Sequence, residues 1–333
     1  FAEMITHTAK PIVAWSYNRA TCKDIHQIGI VMAGGEKEFK KRPNYIFYCE
    51  PLSPLTSSYE AMDKLLYCAE NNIPLIFTPC CIGGGTAPAT FAGILVNAIA
   101  ESLHGFVVSQ LKNKGTPFIM GGVVSIMDMR HMTFSYGAPE LSLLSAALTD
   151  IAKYLGLPVW STAGCTDAKT LEPQAAVEAT LSIQSAFMSG ANLVHDVGYV
   201  ESAMTGSLFQ LVMADEIIGM CRRICQGIDV NKNSIALDTI INVGPGGNFL
   251  SEDHTLTNFR KEHWQPGLMD RFNYEAWVSH GKKTMSDRIK QRTREILDTH
   301  RGPQVSEALQ KKVNSILEDA EKREREKDPL NSK

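Results

Sequence analysis

Several things are scarce in this chain, and each scarcity removes a class of function. Positive charge is not in excess: 33 Lys and Arg stand against 36 Asp and Glu, a net charge of −3. A general nucleic-acid binder needs a basic excess, so no nucleic-acid partner is expected. No apolar run is read as reaching the roughly 18 residues of a bilayer-spanning helix, so no membrane role is expected. No Gly-x-Gly-x-x-Gly stands between a strand and a helix, which argues against a dinucleotide fold. Gly83-Gly-Gly85 lacks the Lys-Ser/Thr of a nucleotide P-loop, which argues against ATP. Tight metal-ligand spacing such as C-x-x-C is missing as well, and no bound metal is expected. No signal peptide is visible, but the chain opens on Phe1 rather than Met, so upstream sequence is expected and the absence carries no weight.

What is present fits an ordinary globular protein. The 333 residues are 44% hydrophobic and 21% charged, enough for one large α/β domain with appendages. The eight cysteines are Cys22, Cys49, Cys68, Cys80, Cys81, Cys165, Cys221 and Cys225. They lie scattered among apolar segments of a chain too large to need disulfide staples. Reduced, mostly buried thiols in a cytoplasmic protein are the expectation.

Short apolar runs alternate with amphipathic stretches. Strands are predicted at Pro11–Tyr17, Tyr45–Cys49, Pro74–Thr78, Pro117–Gly121, Leu157–Thr162 and Ala191–Val194. Helices are predicted near Thr21–Met32, Tyr59–Glu70, Ala89–Lys112 and Pro139–Leu155. Another starts near Pro173 and ends before Gly190, the usual places for Pro and Gly. Gly115 and Gly156 end the two helices before it. Strands apolar on both faces and separated by helices read as a parallel sheet covered by helices. Ser234–Val243 is read as a helix capped by Asn233 and ended by Gly244, with an Ile-rich strand as the alternative. The chain then holds six strand–helix units. The expected fold is an α/β TIM (β/α)8 barrel lacking its N-terminal units in this chain. The barrel is placed at residues 1–250 and a C-terminal helical extension with a charged tail at 251–333. A doubly wound open sheet is the alternative. Lys311–Lys333 is expected to be mostly a solvated helix or disordered.

In a β/α barrel, chemistry sits at the carboxyl ends of the strands. Trp15 and Tyr17, Tyr48, Cys49 and Glu50, Thr78, Cys80 and Cys81, Gly121 and Gly122, Thr162, Cys165 and Asp167, and His195, Asp196, Tyr199 and Glu201 all fall there. Recurring aromatics suit a quaternary ammonium held by cation–π attraction, although strand-end aromatics also serve simply as barrel plugs. His195 and Asp196 are adjacent, so on an extended strand they point to opposite faces and are not expected to form a dyad. Cys49, Cys80, Cys81 and Cys165 with His195 are a conceivable zinc set from different strands. Cys221 and Cys225 lie one helical turn apart and read as core. Gly244-Pro-Gly-Gly247 reads either as a backbone nest for an anion or as a tight turn between helices. Gly83-Gly-Gly85, before a long helix, is a second possible anion cradle.

Four segments together resemble the trimethylamine methyltransferase family of corrinoid-dependent methyltransferases. They are Tyr136-Gly-Ala-Pro-Glu140; Ser161–Lys169; Gly190–Tyr199 with Thr205-Gly-Ser-Leu208; and Val243–Leu250 with His254-Thr-Leu256. The stretch from Phe259 through Trp264, Asp270-Arg271 and Tyr274 to Trp277 also fits, so the likeness covers most of Pro11–Leu297. The resemblance implies a TIM barrel with a longer amino end. It implies transfer of a methyl group to the Co(I) corrinoid, a cobalamin, of a separate small protein, with no cofactor held tightly by this chain. The founding members contain pyrrolysine. This chain has only the twenty ordinary residues, so it resembles the branch associated with quaternary amines such as glycine betaine. A quaternary or tertiary methylamine is the implied substrate, one-carbon metabolism of the methanogenic kind the implied setting, and a homo-oligomer the expected form. The alternatives are a zinc-dependent thiol or methanol methyltransferase and a catalytically silent betaine-binding barrel. His195 is taken as the catalytic candidate. Trp15, Tyr17, Tyr48, Trp160, Tyr199, Gly246, Gly247, Phe249 and His254 are taken as substrate-binding candidates.

Overall fold

The computed structural model describes residues 1–327. In chain order, α1 (Ala2–Thr6) precedes β1 (Ile12–Ala14), α2 (Arg19–Ala33) and α3 (Glu36–Lys41). β2 (Tyr45–Cys49) is followed by α4 (Tyr59–Glu70), and β3 (Leu75–Phe77) by the short strand β4 (Cys80–Gly83) and α5 (Phe91–Lys112). β5 (Phe118–Gly121) is followed by β6 (Val123–Asp128), β7 (Thr133–Phe134) and α6 (Pro139–Tyr154). β8 (Val159–Thr162) leads to α7 (Pro173–Ser189). β9 (Leu193–His195) leads to the hairpin β10 (Tyr199–Val200) and β11 (Thr205–Gly206), then α8 (Leu208–Cys225). The remaining helices are α9 (Lys232–Ile235), α10 (Leu237–Val243), α11 (Asp253–Glu262), α12 (Tyr274–Ser279), α13 (Met285–Thr299) and α14 (Glu307–Lys327).

The six expected strands form one sheet in the order β1-β2-β3-β5-β8-β9, all neighbours parallel. It is a curled half-barrel of six strands. Alternation sorts its side chains. Phe47, Cys49, Leu75, Phe77, Met120 and Val159 face the helices in the main core. Ile76, Ile119 and Trp160 face inward, with Ile46, Tyr48 and Leu193 packed on them. Gly121 is required where β5 meets β8: a Cβ there would stand 2.2 Å from the Trp160 carbonyl oxygen.

The helix ends follow their local chemistry. The Asn18 side chain accepts from Thr21 N to open α2, and Gly34 closes it at φ 87°. Pro173 opens α7 and Gly190 closes it at φ 70°. Gly115 and Gly156 take positive φ, as their placement after helices requires.

Some expectations change. β1 ends at Ala14, so Trp15 and Tyr17 lie beyond the strand. The Ser234–Val243 helix exists, but Asn231 caps it in a reciprocal capping box with Ser234, and Ala236 at φ 52° splits it. Gly244 ends it as expected. Among the described residues one helix is long and apolar enough to cross a bilayer by length and composition: α5, with a mean hydropathy of 1.6 over its apolar window. In the fold α5 packs against α4, β4, β5 and α6. The charged tail is not simply solvated. Over its described part α14 docks on α2, buries Val313 and pairs Arg323 with Asp24. Residues 328–333 of that tail lie outside the described residues.

Candidate functional site

Three inward-facing side chains meet at the carboxyl edge of the half-barrel. Trp160 pairs with Leu193 and Thr162 with His195 across β8 and β9, which sets the height of all four. The His195 ring stacks on Trp160 with centroids 4.7 Å apart and planes at 16°. Tyr48 lies 6.3 Å from Trp160 and donates its hydroxyl to Glu50 at 3.2 Å. Trp160, expected inside its strand, is 6% exposed and forms the floor beneath His195.

His195 and Asp196 do form a pair, at 2.8 Å between Nδ1 and Oδ1. Alternation fails here because β9 ends at His195 and Asp196 takes φ 68°. The left-handed backbone folds the carboxylate back onto the imidazole. A carboxylate only accepts, so Nδ1 carries the proton. Nε2 lies 2.9 Å from the Thr162 hydroxyl. Both ring nitrogens are therefore engaged, and the ring is fixed in position.

Tyr136 and Asp167 join this edge. Asp167 accepts from the Ser135 hydroxyl, from Tyr136 N at 2.8 Å and from the Ser202 hydroxyl at 2.7 Å. Its own N–H donates to Glu178 at 2.8 Å, and Thr166 donates its hydroxyl to the same carboxylate. This network ties together the segments that follow β7, β8 and β11's partner strand β10. Burial pushes the Tyr48 and Tyr136 phenols and the Cys165 thiol well above their usual range, and the Asp196 charge adds to the shift in each. All three are neutral at pH 7. Among the described residues no hydrogen bond is made by the Tyr136 hydroxyl.

Behind β4, Glu101 is 3% exposed and accepts from Ser53 Oγ at 2.7 Å, Leu55 N at 2.7 Å and Asn97 Nδ2 at 2.8 Å. It pins the segment after β2. Cys81 lies in the same cluster, while Cys49 packs with Cys22 and Cys68 on the helix side. Among the described residues no three His, Cys, Asp or Glu side chains are grouped to hold a metal ion. All eight cysteines are free, six buried and Cys80 and Cys225 exposed.

The other sequence candidates make contacts of their own. Trp15 and Tyr17 pair with each other at 4.4 Å, and the Lys64 ammonium sits 5.4 Å from the Trp15 ring. Tyr199 is 41% exposed on β10. Gly246 and Gly247 belong to the turn that follows α10, with Gly247 N donating to Gly244 O. Phe249 is exposed beyond that turn, and His254 on α11 bonds to Asn233 O at 2.9 Å. Gly84 and Gly85 spend their N–H groups within the loop, on Ala87 O and Ile82 O. An apolar cavity of about 530 Å³ lies between α8 and α13, lined by Val197, Leu211, Ile218, Leu268 and Ile296. None of the strand-end polar groups lines it.

A family model described as trimethylamine methyltransferase (MTTB) matches residues 1–327. The chain belongs to the trimethylamine methyltransferase family. It is 33% identical over 323 residues to the trimethylamine methyltransferase MttB of Desulfitobacterium hafniense (strain DSM 10664 / DCB-2), covering 96% of this chain and 64% of that protein. It is 30% identical over 314 residues to the glycine betaine methyltransferase of Desulfitobacterium hafniense (strain Y51), covering 94% and 65%. It is 31% identical over 291 residues to the trimethylamine methyltransferase MttB of Methanosarcina barkeri, covering 87% and 58%. The chain thus spans less than two thirds of the length of these members of the trimethylamine methyltransferase family.

Proposed function

We propose that this chain carries the substrate site of a methyltransferase that moves a methyl group from a quaternary amine, glycine betaine in the first instance, to the Co(I) corrinoid of a separate protein. The observation that carries the reading is the gathering of Tyr48, Tyr136, Trp160 and the His195–Asp196 pair at one sheet edge, in a family that includes a glycine betaine methyltransferase. We place the protein in the cytoplasm, with a barrel unit through residue 250 and a helical extension after it.

The transfer balances without a general acid. The C–N bond breaks and its electron pair stays on nitrogen, which leaves as a neutral tertiary amine. The pair that forms the new bond to carbon comes from Co(I). The chain's task is to hold the donor methyl in line with its acceptor and to exclude water. Neutral phenols at Tyr48 and Tyr136 suit a zwitterion: their faces attract the onium end, and a free hydroxyl donates to a carboxylate. His195 acts by holding Asp196 and Thr162 in place, since neither ring nitrogen is free.

The test is a panel of glycine betaine, proline betaine, carnitine and trimethylamine, each incubated with the chain and Co(I) corrinoid and followed by proton NMR. Dimethylglycine is expected from glycine betaine, with little or no dimethylamine from trimethylamine. Trimethylamine turnover with no betaine turnover contradicts the substrate assignment. Binding without any demethylated product points to a silent binding barrel.

A further inference from the structure

We propose that the second carboxylate oxygen of Asp196, Oδ2, is the anionic contact for the ligand's onium group, and that this oxygen, not the face of Trp160, reads the ligand's charge. The inference rests on the quaternary-amine reading above and adds the atom that recognises the charge. Oδ1 is committed to His195, at 2.8 Å. Oδ2 is buried and has no hydrogen-bond partner. Among the ion pairs of the described residues, His195 is the only partner of Asp196. A buried anionic oxygen without a partner is costly, and such atoms call for a specific explanation.

The surroundings point to a cation. Tyr48 in β2, Cys80 in β4, Tyr136 after β7 and Cys165 after β8 all feel the Asp196 charge, so its carboxylate stands centrally among strand ends. Tyr48, Tyr136 and Cys165 are held neutral and do not share the negative charge. The two neighbouring strand-end tryptophan rings are already covered. His195 covers one face of Trp160, a residue that is 6% exposed. The Trp15 ring already carries the Lys64 ammonium. A quaternary ammonium has no N–H to donate, but its methyl groups carry the positive charge and rest against an anionic oxygen or an aromatic face alike.

The contact has a kinetic signature. Charge on nitrogen vanishes as the methyl leaves, so an anion beside it favours the bound substrate over the transition state. Asp196→Asn is therefore expected to raise KM while kcat holds or rises. Asn tolerates the left-handed backbone and keeps an oxygen for His195, so the local geometry survives the change.

The experiment compares glycine betaine with its carbon isostere 3,3-dimethylbutanoate, which keeps the carboxylate but carries no onium charge, by calorimetry. The wild-type chain should prefer betaine by roughly tenfold or more, and Asp196→Asn should shrink the preference to about twofold or less. An unchanged preference in Asp196→Asn overturns the assignment, because the rings then read the charge. So does a wild-type chain that binds both ligands alike, a result that needs no variant to fold. A charge preference without methyl transfer leaves Asp196 assigned and overturns the methyltransferase reading. Failure of both ligands to bind overturns both.

Discussion

His195→Ala is expected to lower kcat/KM for the betaine by roughly 10- to 150-fold, the equivalent of about 1.5–3 kcal/mol for a lost hydrogen bond to a charged group. The change removes the proton donor to Asp196, the partner of the Thr162 hydroxyl and the ring stacked on Trp160. Asp196 then loses the contact that aims its carboxylate, and Trp160 gains an open face. Loss is expected in both kcat and KM, since the imidazole organises the pocket rather than acting on one state of the substrate. Steady-state kinetics check this, with circular dichroism to confirm the fold. Wild-type kinetics in His195→Ala would remove the residue from the site.

Asp167→Ala is expected to cause the largest loss of stability, about 3 kcal/mol. Three donors lose a shared acceptor: the Ser135 hydroxyl, Tyr136 N and the Ser202 hydroxyl. Each is partly buried, so water replaces the carboxylate only in part. The thermal midpoint should fall by roughly 4 °C for a chain of this size. Activity should fall as well, because Tyr136 is placed in the mouth by this bond. Asp167→Asn should recover part of both, since its carbonyl still accepts from Tyr136 N while its amide cannot accept from a hydroxyl. A midpoint within about 1 °C of wild type would show that the network contributes little.

The six sheet strands were legible because short apolar runs bounded by Pro and Gly have few other readings in a chain where helices lie between them. The parallel pairing and inward alternation followed, and with them the grouping of Tyr48, Trp160 and His195. Closure into a full barrel did not follow from six strands, and the sheet is a half-barrel. The small strands β4, β6, β7, β10 and β11 were not legible. They lie inside strand-to-helix connections and exist through pairings such as Cys80 with Val123, which no local pattern announces. The His195–Asp196 pair was misread for a specific reason. Alternation holds only while the strand lasts, and the sign of φ at a non-glycine residue is not written in its identity. Tyr136 stood in a quoted motif, yet its role depends on Asp167, 31 residues away on another connection. The local partners of Trp15 and Tyr17 were not legible either. Their pairing with each other and with Lys64 reflects a strand that ends one residue before Trp15. The docking of α14 was hidden by its charge, because a few apolar residues such as Val313 suffice to seat it.

The most direct test of the account is a single-turnover experiment with the purified chain, glycine betaine and excess Co(I) corrinoid under anaerobic conditions. The account predicts that the visible spectrum converts from Co(I) to methyl-Co(III), with one dimethylglycine formed for each corrinoid methylated. An unchanged Co(I) spectrum with glycine betaine and with every other betaine in the panel would contradict it.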